Sequence, residues 1–431
     1  VVINVLPEIA SLFKDDGWCM PPTGAAAEYE SLMVHHRDVK HVDGSFSTEA
    51  LERVCGFYPR THHFNFEDVP VWNRVLECVK RQSSPGYPYA IRWATNGAIL
   101  DDVWATKFVV ERAVSRLRRL GQLQPEQLLN NLKRDPVWAV REGFCDVSRV
   151  FIKYQAHPLR KLTARKFRII NSLGIVDLLV QLFLFSAQDD AEINQWDVLP
   201  SKPGFGLAND VDCESLAAFV EQHKLNISDD VSAWDASMPF VALLAEAEMR
   251  ILLAIDPAEW WCSAVRNVYI MSAYRVMMCS DTSCYVRVVP GSMPSGAKFT
   301  ASSNSRIRFL FNAEFNARKG KQGMAMTMGD DAVERVDAAD LEEYRQFLKS
   351  FGVTLTDVET TDSKRFSFCS HDIVNGKPIP CSPNRMIVNY LNEPTDEAYC
   401  SLIMNMRHSP ELRQVIEVIR AKGLGPEKHS D

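Results

Sequence analysis

Residues 324–335 read Met324-Ala325-Met326-Thr327-Met328-Gly329-Asp330-Asp331-Ala332-Val333-Glu334-Arg335. Two apolar arms flank a Gly-Asp step that suits a tight turn, so Gly323–Arg335 is expected to form a β-hairpin with two carboxylates at its tip. Upstream, Lys224-Leu225-Asn226-Ile227-Ser228-Asp229-Asp230-Val231 reads as a strand that also ends in acids, and Asp235 follows five residues after Asp230.

A Gly-Asp-Asp run alone is ordinary turn chemistry. Two acidic strand ends together suit another purpose. A nucleotidyl transferase needs two Mg²⁺ ions about 3.5–4 Å apart, one to help ionise an attacking hydroxyl and one to hold a triphosphate and its leaving pyrophosphate. Mg²⁺ takes only one or two protein carboxylates, with phosphates and water completing its octahedron. Asp230 and Asp330 on adjacent strands meet that requirement, with Asp331 assisting.

Around these clusters the pattern alternates. Helices are expected over Phe240–Ile255, Ala297–Ala317 and Ala338–Phe351, the last stopped by Gly352. A hairpin is expected within Met271–Val289 and a short strand over Val353–Thr356. Further upstream, Thr106–Leu120 has apolar residues at helical spacing and a basic opposite face, with Gly121 as its stop. Val147–Tyr154 reads as a strand and Ile169–Ala187 as a buried helix. Helices interspersed with antiparallel hairpins predict an α+β fold with an antiparallel sheet flanked by helices, not a doubly wound one. The residues after His371 read as mostly helical.

At 431 residues, with 46% hydrophobic and 24% charged, the chain can bury a large core without disulfides or structural metals. Its net charge of −7 argues against a nucleic-acid partner, but Thr106–Arg168 holds fifteen Lys and Arg against five Asp and Glu. Such a local basic wall can meet phosphates while the rest of the surface stays acidic. The eleven cysteines form no Cys-x-x-Cys pair, so reduced thiols are expected. His35-His36 and His62-His63 are weak metal candidates, because adjacent side chains point apart. No apolar run reaches membrane-spanning length. The Val1-Val2 start, without Met, is expected of a processed product or a trimmed chain.

From Lys153 to about His371 the sequence resembles viral RNA-dependent RNA polymerases, most closely those of the sobemovirus, polerovirus and barnavirus group. The motifs occur in the family's order. Asp230-x4-Asp235 is similar to the motif whose first Asp binds metal and whose second meets the ribose 2′ hydroxyl. Ser295-Gly296-Ala297-Lys298-Phe299-Thr300-Ala301-Ser302-Ser303-Asn304 matches the full Ser-Gly-x3-Thr-x3-Asn pattern. Gly296 permits a flexible loop, and Thr300 and Asn304 lie one helical turn apart. A 2′ hydroxyl both donates and accepts, so an Asp–Asn pair can select ribose. Gly329-Asp330-Asp331 is the third motif. Lys349, three residues before Gly352, stands where the family has a lysine that protonates pyrophosphate. Phe368-Cys369-Ser370-His371 resembles the segment that grips the primer, so Cys369 and Ser370 are expected against RNA.

Upstream, Lys153-x3-His157-x2-Arg160-Lys161-x3-Arg165-Lys166-x-Arg168 resembles the basic roof over the NTP triphosphate, chemistry to which lysine and arginine are suited. Lys153, Lys161 and Arg168 match the family's basic positions. His157 stands where a picornavirus-like pattern has Arg; whether Arg160 replaces it stays open, as does the choice between Arg165 and Lys166. Ser84-Pro85-Gly86-Tyr87-Pro88 resembles a template-entrance loop, where Tyr87 could stack on a base.

The resemblance implies a right hand: fingers over 1–223, palm over 224–255, a fingers insertion over 256–289, palm over 290–366 and thumb over 367–431. It implies template-directed RNA synthesis from ribonucleoside triphosphates with two Mg²⁺, Mn²⁺ being able to substitute. The partners are a single-stranded RNA template and its primer strand, NTPs, and, given the short segment after His371, a viral protein primer. Replication in the host cytoplasm, in complexes tied to host membranes only indirectly, is implied too. A reverse transcriptase also has paired palm aspartates, but Asp235 and Asn304 argue for ribose. A catalytically idle RNA-binding scaffold has no need of three intact acids.

Overall fold

The computed structural model describes residues 6–10, 17–36, 41–42 and 44–425. The Val1-Val2 start lies outside them. At its centre is a four-stranded antiparallel sheet in the order Leu355–Thr360, Ile227–Val231, Asp331–Glu334, Ala325–Met328. The hairpin closes as expected: Met328 pairs with Asp331, leaving Gly329-Asp330 as a two-residue turn. Gly329 adopts φ +68° and Asp330 stays out of the left-handed region, the pattern of a type II′ turn with Gly first. The outer edge of the hairpin is not left open. Thr327 N–H donates to Pro200 O at 2.9 Å and Lys202 N–H donates to Thr327 O at 3.0 Å, which protects an edge strand from stray pairing.

Thr300–Arg318 packs on this sheet with nearly every side chain buried. Its polar residues are therefore paired inside. Arg306 reaches Glu192 and Glu246, and Arg250 bridges Asp189 and Glu246. This buried network ties Ile175–Asn194, Phe240–Leu252 and Thr300–Arg318 together.

A second four-stranded sheet has the order Ile169–Ser172, Ser148–Ile152, Val276–Met278, Cys284–Val286. Here the sequence expectations need correction. Ile169–Ala187 is not one helix: Ile169–Ser172 is a strand, and the helix runs Ile175–Asn194 after the break at Leu173-Gly174. Met271–Ala273 ends the helix Glu259–Ala273, so the expected hairpin begins only at Val276. Gly121 does not stop its helix, which runs Val103–Gln122. A Cβ at Gly121 would sit 2.9 Å from Trp260 Cβ, so this glycine serves a close helix crossing. The basic face is also thinner than its composition suggests, because Arg116 is buried and paired with Asp146 and Asp177.

The C-terminal part is only partly helical. Strands Arg365–Phe368, His371–Val374 and Lys377–Pro380 form a small antiparallel sheet. Helices Pro383–Asn392, Asp396–Met406 and Leu412–Ala421 follow, with their own apolar cluster around Ile387, Leu402 and Val415. Among the described residues no helix is long and apolar enough to cross a membrane.

Candidate active site

The register of the central sheet brings the two acidic strand ends together. Asp229 pairs with Ala332, so Asp230 lies beside the start of the next strand, where Asp331 stands. Asp230 is held by its own neighbour, with Val231 N–H donating to Asp230 Oδ1 at 2.8 Å. Burial first, and Asp330 next, push the Asp230 carboxyl above its ordinary pKa, with Lys161 opposing. Asp331 is pushed up to about 7 by burial, by Asp330 and by Asp230, while the backbone N–H groups of Cys369 and Ser370 hold it down. Carboxylates this close raise one another's pKa by like-charge repulsion.

The turn carrying Asp330 is braced from the helix below it. Gly329 N–H donates to Ser305 Oγ at 3.0 Å, and Thr327 Oγ1 donates to Ser305 O at 2.9 Å. Ser305 was not singled out in the sequence, where it reads as one more polar residue of a Ser-rich helix. Cys369 and Ser370 were expected against RNA through their motif. Both adopt left-handed φ, 52° and 59°, in the two-residue turn between Phe368 and His371. That turn points its N–H groups at Asp331.

The second expected pair is also formed. Asn304 Nδ2 donates to Asp235 Oδ1 at 2.8 Å. Burial raises the Asp235 pKa, and hydrogen bonds from Asn304 and Ser295 lower it. Asn304 Oδ1 is buried with no hydrogen-bond partner among the described residues, so this acceptor is left over. Thr300 turns away from the pair: its hydroxyl donates to Pro294 O at 2.8 Å and closes the loop before the helix. Gly296 has φ +111°, and a Cβ there would lie 2.5 Å from Asn171 O. Close approach, in addition to loop freedom, demands the glycine.

The basic segment joins Ser148–Ile152 to Ile169–Ser172 as a long hairpin connection. Lys161 is the cation that faces Asp230 and Asp330; burial, Arg168 and Arg160 lower its pKa while the two carboxylates raise it. Arg168 faces Asp235. Burial, Arg168 and Arg385 lower the Lys153 pKa. Arg165, in a left-handed conformation, turns to Glu30 at 3.2 Å. Lys166 is tied into the loop by its N–H to Lys161 O at 3.0 Å.

Two expected groups stand apart. Lys349 is exposed in the last turn of Leu341–Ser350, and among the described residues it makes no hydrogen bond or ion pair with the three carboxylates. In Ser84–Tyr87, Pro85 and Gly86 are buried and Tyr87 half-buried. Ile175 N–H donates to Pro85 O at 2.8 Å, and a Gly86 Cβ would collide with Leu173 O. The loop is a fitted turn against the helix Ile175–Asn194. One histidine of each pair is engaged with the backbone: His35 Nε2 lies 2.7 Å from Phe167 O, and His63 Nε2 accepts from Ala258 N–H at 3.1 Å.

The arrangement is an acidic strand-end pair facing a lysine, beside a buried Asp–Asn pair. The family described as "Viral RNA-directed RNA-polymerase" matches residues 77–222 and 231–395.

The chain belongs to the viral RNA-directed RNA polymerase family.

It is 30% identical over 434 residues to the "Replicase polyprotein P2AB" of Cocksfoot mottle virus, covering 95% of this chain and 44% of that protein. It is 30% identical over 366 residues to the "RNA-directed RNA polymerase" of Mushroom bacilliform virus, covering 79% of this chain and 83% of that one. The chain thus spans less than half the length of the polyprotein relative. A Sicinivirus 3Dpol RNA-dependent RNA polymerase shares the fold at a TM-score of 0.71 and 13% identity, over 96% of this chain and 89% of that one. The right-hand polymerase architecture expected from the sequence is therefore the fold of this chain.

Hard carboxylate oxygens crowded against each other fit a divalent cation of the polymerase type. No group of three or more His, Cys, Asp or Glu among the described residues would hold a metal ion by itself.

Proposed function

We propose that this chain copies a single-stranded RNA template, extending a primer strand with ribonucleoside triphosphates for viral replication and transcription. The observation that carries this reading is the meeting of Asp230, Asp330 and Asp331 opposite Lys161, with the Asp235–Asn304 pair beside them.

Asp230 and Asp330, assisted by Asp331, are the residues that would hold two Mg²⁺, or Mn²⁺ in their place. Such ions would supply activation of the primer 3′ hydroxyl and charge stabilisation at the leaving pyrophosphate. Lys161, Arg160, Arg168, Lys153 and Lys166 would meet the triphosphate, with Lys161 the best placed of them. The ribose would be checked by the Asp235–Asn304 pair, whose unpartnered Asn304 Oδ1 can accept from a 2′ hydroxyl. Ser295, Gly296 and Thr300 would shape the loop that presents this pair. Lys349 is the proton donor to pyrophosphate by its place in the motif order, and Ser84–Tyr87 with the Cys369-Ser370 turn would border the RNA path. Base identity would be read by pairing with the template.

We further propose the division into fingers 1–223 and 256–289, palm 224–255 and 290–366, and thumb 367–431. Use of a viral protein primer, and action in the host cytoplasm within membrane-associated complexes, rest on the resemblance.

Extension of a labelled RNA primer on an RNA template tests the reading. Incorporation of NTPs complementary to the template supports it. Equal use of dNTPs would move the assignment to a reverse transcriptase, and no incorporation by the folded protein, with or without a protein primer, would contradict it.

A further inference from the structure

The basic segment has a neck, and one side chain fastens it. Lys153 N–H donates to Arg168 O at 2.8 Å, where the two strands part. Beyond that bond the chain makes a fourteen-residue excursion through Arg160, Lys161 and Lys166 before returning at Arg168. His157 bridges the two arms. Its Nδ1 lies 2.7 Å from Gln155 O, and its Nε2 lies 3.1 Å from Arg168 N. The ring is 2% exposed, with Phe167 edge-on to it.

These partners define the proton's place. A carbonyl needs a donor, so Nδ1 carries the hydrogen; a backbone N–H needs an acceptor, so Nε2 presents its lone pair. Only the neutral Nδ1–H tautomer satisfies both. An imidazolium would aim a second N–H at the Arg168 N–H. Among the described residues, the charged groups that act on the ring are Arg168 on the returning arm, Lys161 on Leu159–Thr163, and Arg385 on Pro383–Asn392, all positive. The strand paired with His157, Trp18–Cys19, brings only a thiol. Burial and these cations keep the ring's pKa below the ordinary histidine value.

The clasp matters because of what hangs from it. Arg168, whose backbone His157 holds, faces Asp235, and Lys161, within the loop, faces Asp230 and Asp330. The incoming arm is docked separately, with Ala156 N–H donating to Asn389 Oδ1 at 2.7 Å. The returning arm is held at Phe167 by Ser31. Beside the backbone bond from Lys153 to Arg168, His157 is therefore a side-chain link that sets one arm against the other.

We propose that His157 is a positioning residue for nucleotide binding: its neutral ring clasps the neck of the basic segment and so places Lys161 and Arg168 over the triphosphate and ribose. This rests on the polymerase reading of the site. Protonation of the ring opens the clasp, which makes nucleotide affinity sensitive to acid through a residue that touches no substrate.

The test compares wild type, His157→Gln and His157→Phe. Gln keeps an acceptor for the Arg168 N–H and does not titrate; Phe keeps the ring and loses both bonds. At neutral pH, His157→Phe should raise the KM for NTP roughly fivefold to tenfold with kcat nearly unchanged, the worth of about one hydrogen bond, that to the Arg168 N–H, since the bond to Gln155 stays within one arm. His157→Gln should stay near wild type. From about pH 6.5, the ordinary histidine value, down to about pH 5 the wild-type KM should rise relative to that of His157→Gln, because the lowered pKa keeps the wild-type ring neutral above this range and only the wild type titrates within it. A constant ratio across that range would overturn the proposal. Hydrogen exchange over residues 158–168 gives a readout independent of catalysis. Faster exchange in His157→Phe than in wild type supports the clasp, and equal exchange refutes it. Absence of template-directed incorporation by all three proteins would instead refute the polymerase reading, while the exchange result still decides the clasp.

Discussion

Arg308 donates to Asp229, the residue immediately before Asp230, from the middle of the buried helix that also carries Asn304. The same guanidinium reaches Glu334 Oε1 at 2.6 Å, on the strand that begins at Asp331. One arginine thus pins both acid-bearing strands from beneath. All three side chains are fully buried, and Tyr344 Oη completes the group at 3.2 Å. The positive charge is locked in, since Asp229 and Glu334 raise the Arg308 pKa against burial.

Replacing Arg308 with Leu should destabilise the protein by about 3–5 kcal/mol, because two buried carboxylates lose their partner. Denaturant unfolding of the variant measures this. A loss within about 0.5 kcal/mol, the scale of ordinary surface substitutions, would show that the pair is not a structural pin.

The pH dependence of stability should carry the signature of Asp331. Its carboxyl is raised to about 7 by burial and by the neighbouring Asp330 and Asp230. The folded state therefore binds this proton more tightly than the unfolded chain, whose carboxyl titrates near about 3.9. Its stabilising share is complete below that lower value and is lost as pH rises through about 7. Metal-free protein should lose stability across this window, and Asp331→Asn should show a shallower fall. Mg²⁺ should restore stability at alkaline pH. Chemical denaturation in EDTA at several pH values checks it, and identical slopes for the two proteins would count against the assignment.

Asn304→Ala removes the donor to Asp235 and the spare acceptor together. The preference for NTP over dNTP should fall by roughly tenfold or more, since a site built to bond a hydroxyl then lacks its partner. Competition between matched NTP and dNTP in primer extension measures the ratio, and an unchanged ratio would leave Asn304 without a role in sugar choice.

The acidic strand ends and the Ser295–Asn304 run were legible because each is local: residue types at fixed spacing on one predicted element. The antiparallel order that unites them followed from the same hairpin. What stayed hidden depends on distant chain segments or on backbone groups. Arg308 lies 79 residues from Asp229, and nothing in its own helix marks it for a carboxylate. Cys369 and Ser370 act on Asp331 through N–H groups that any residue type possesses, so this contact could not be read from their side chains, and their motif pointed only to RNA. Gly121 resembled a helix stop because the Trp260 that crosses it is remote in sequence. His157, a departure from the basic pattern, marked a position of interest, but only the fold shows which atoms it joins.

The most direct measurement is single-turnover extension of an RNA primer on an RNA template by wild type and Asp330→Asn, each with its unfolding midpoint determined. The account predicts NTP-dependent extension by wild type and a loss of at least about a hundredfold in the variant. The variant's midpoint should equal or exceed that of wild type, because removing Asp330 relieves repulsion on Asp230 and Asp331. Extension by the variant at the wild-type rate, with the fold intact, would contradict the claim that this strand-end carboxylate is part of the catalytic centre.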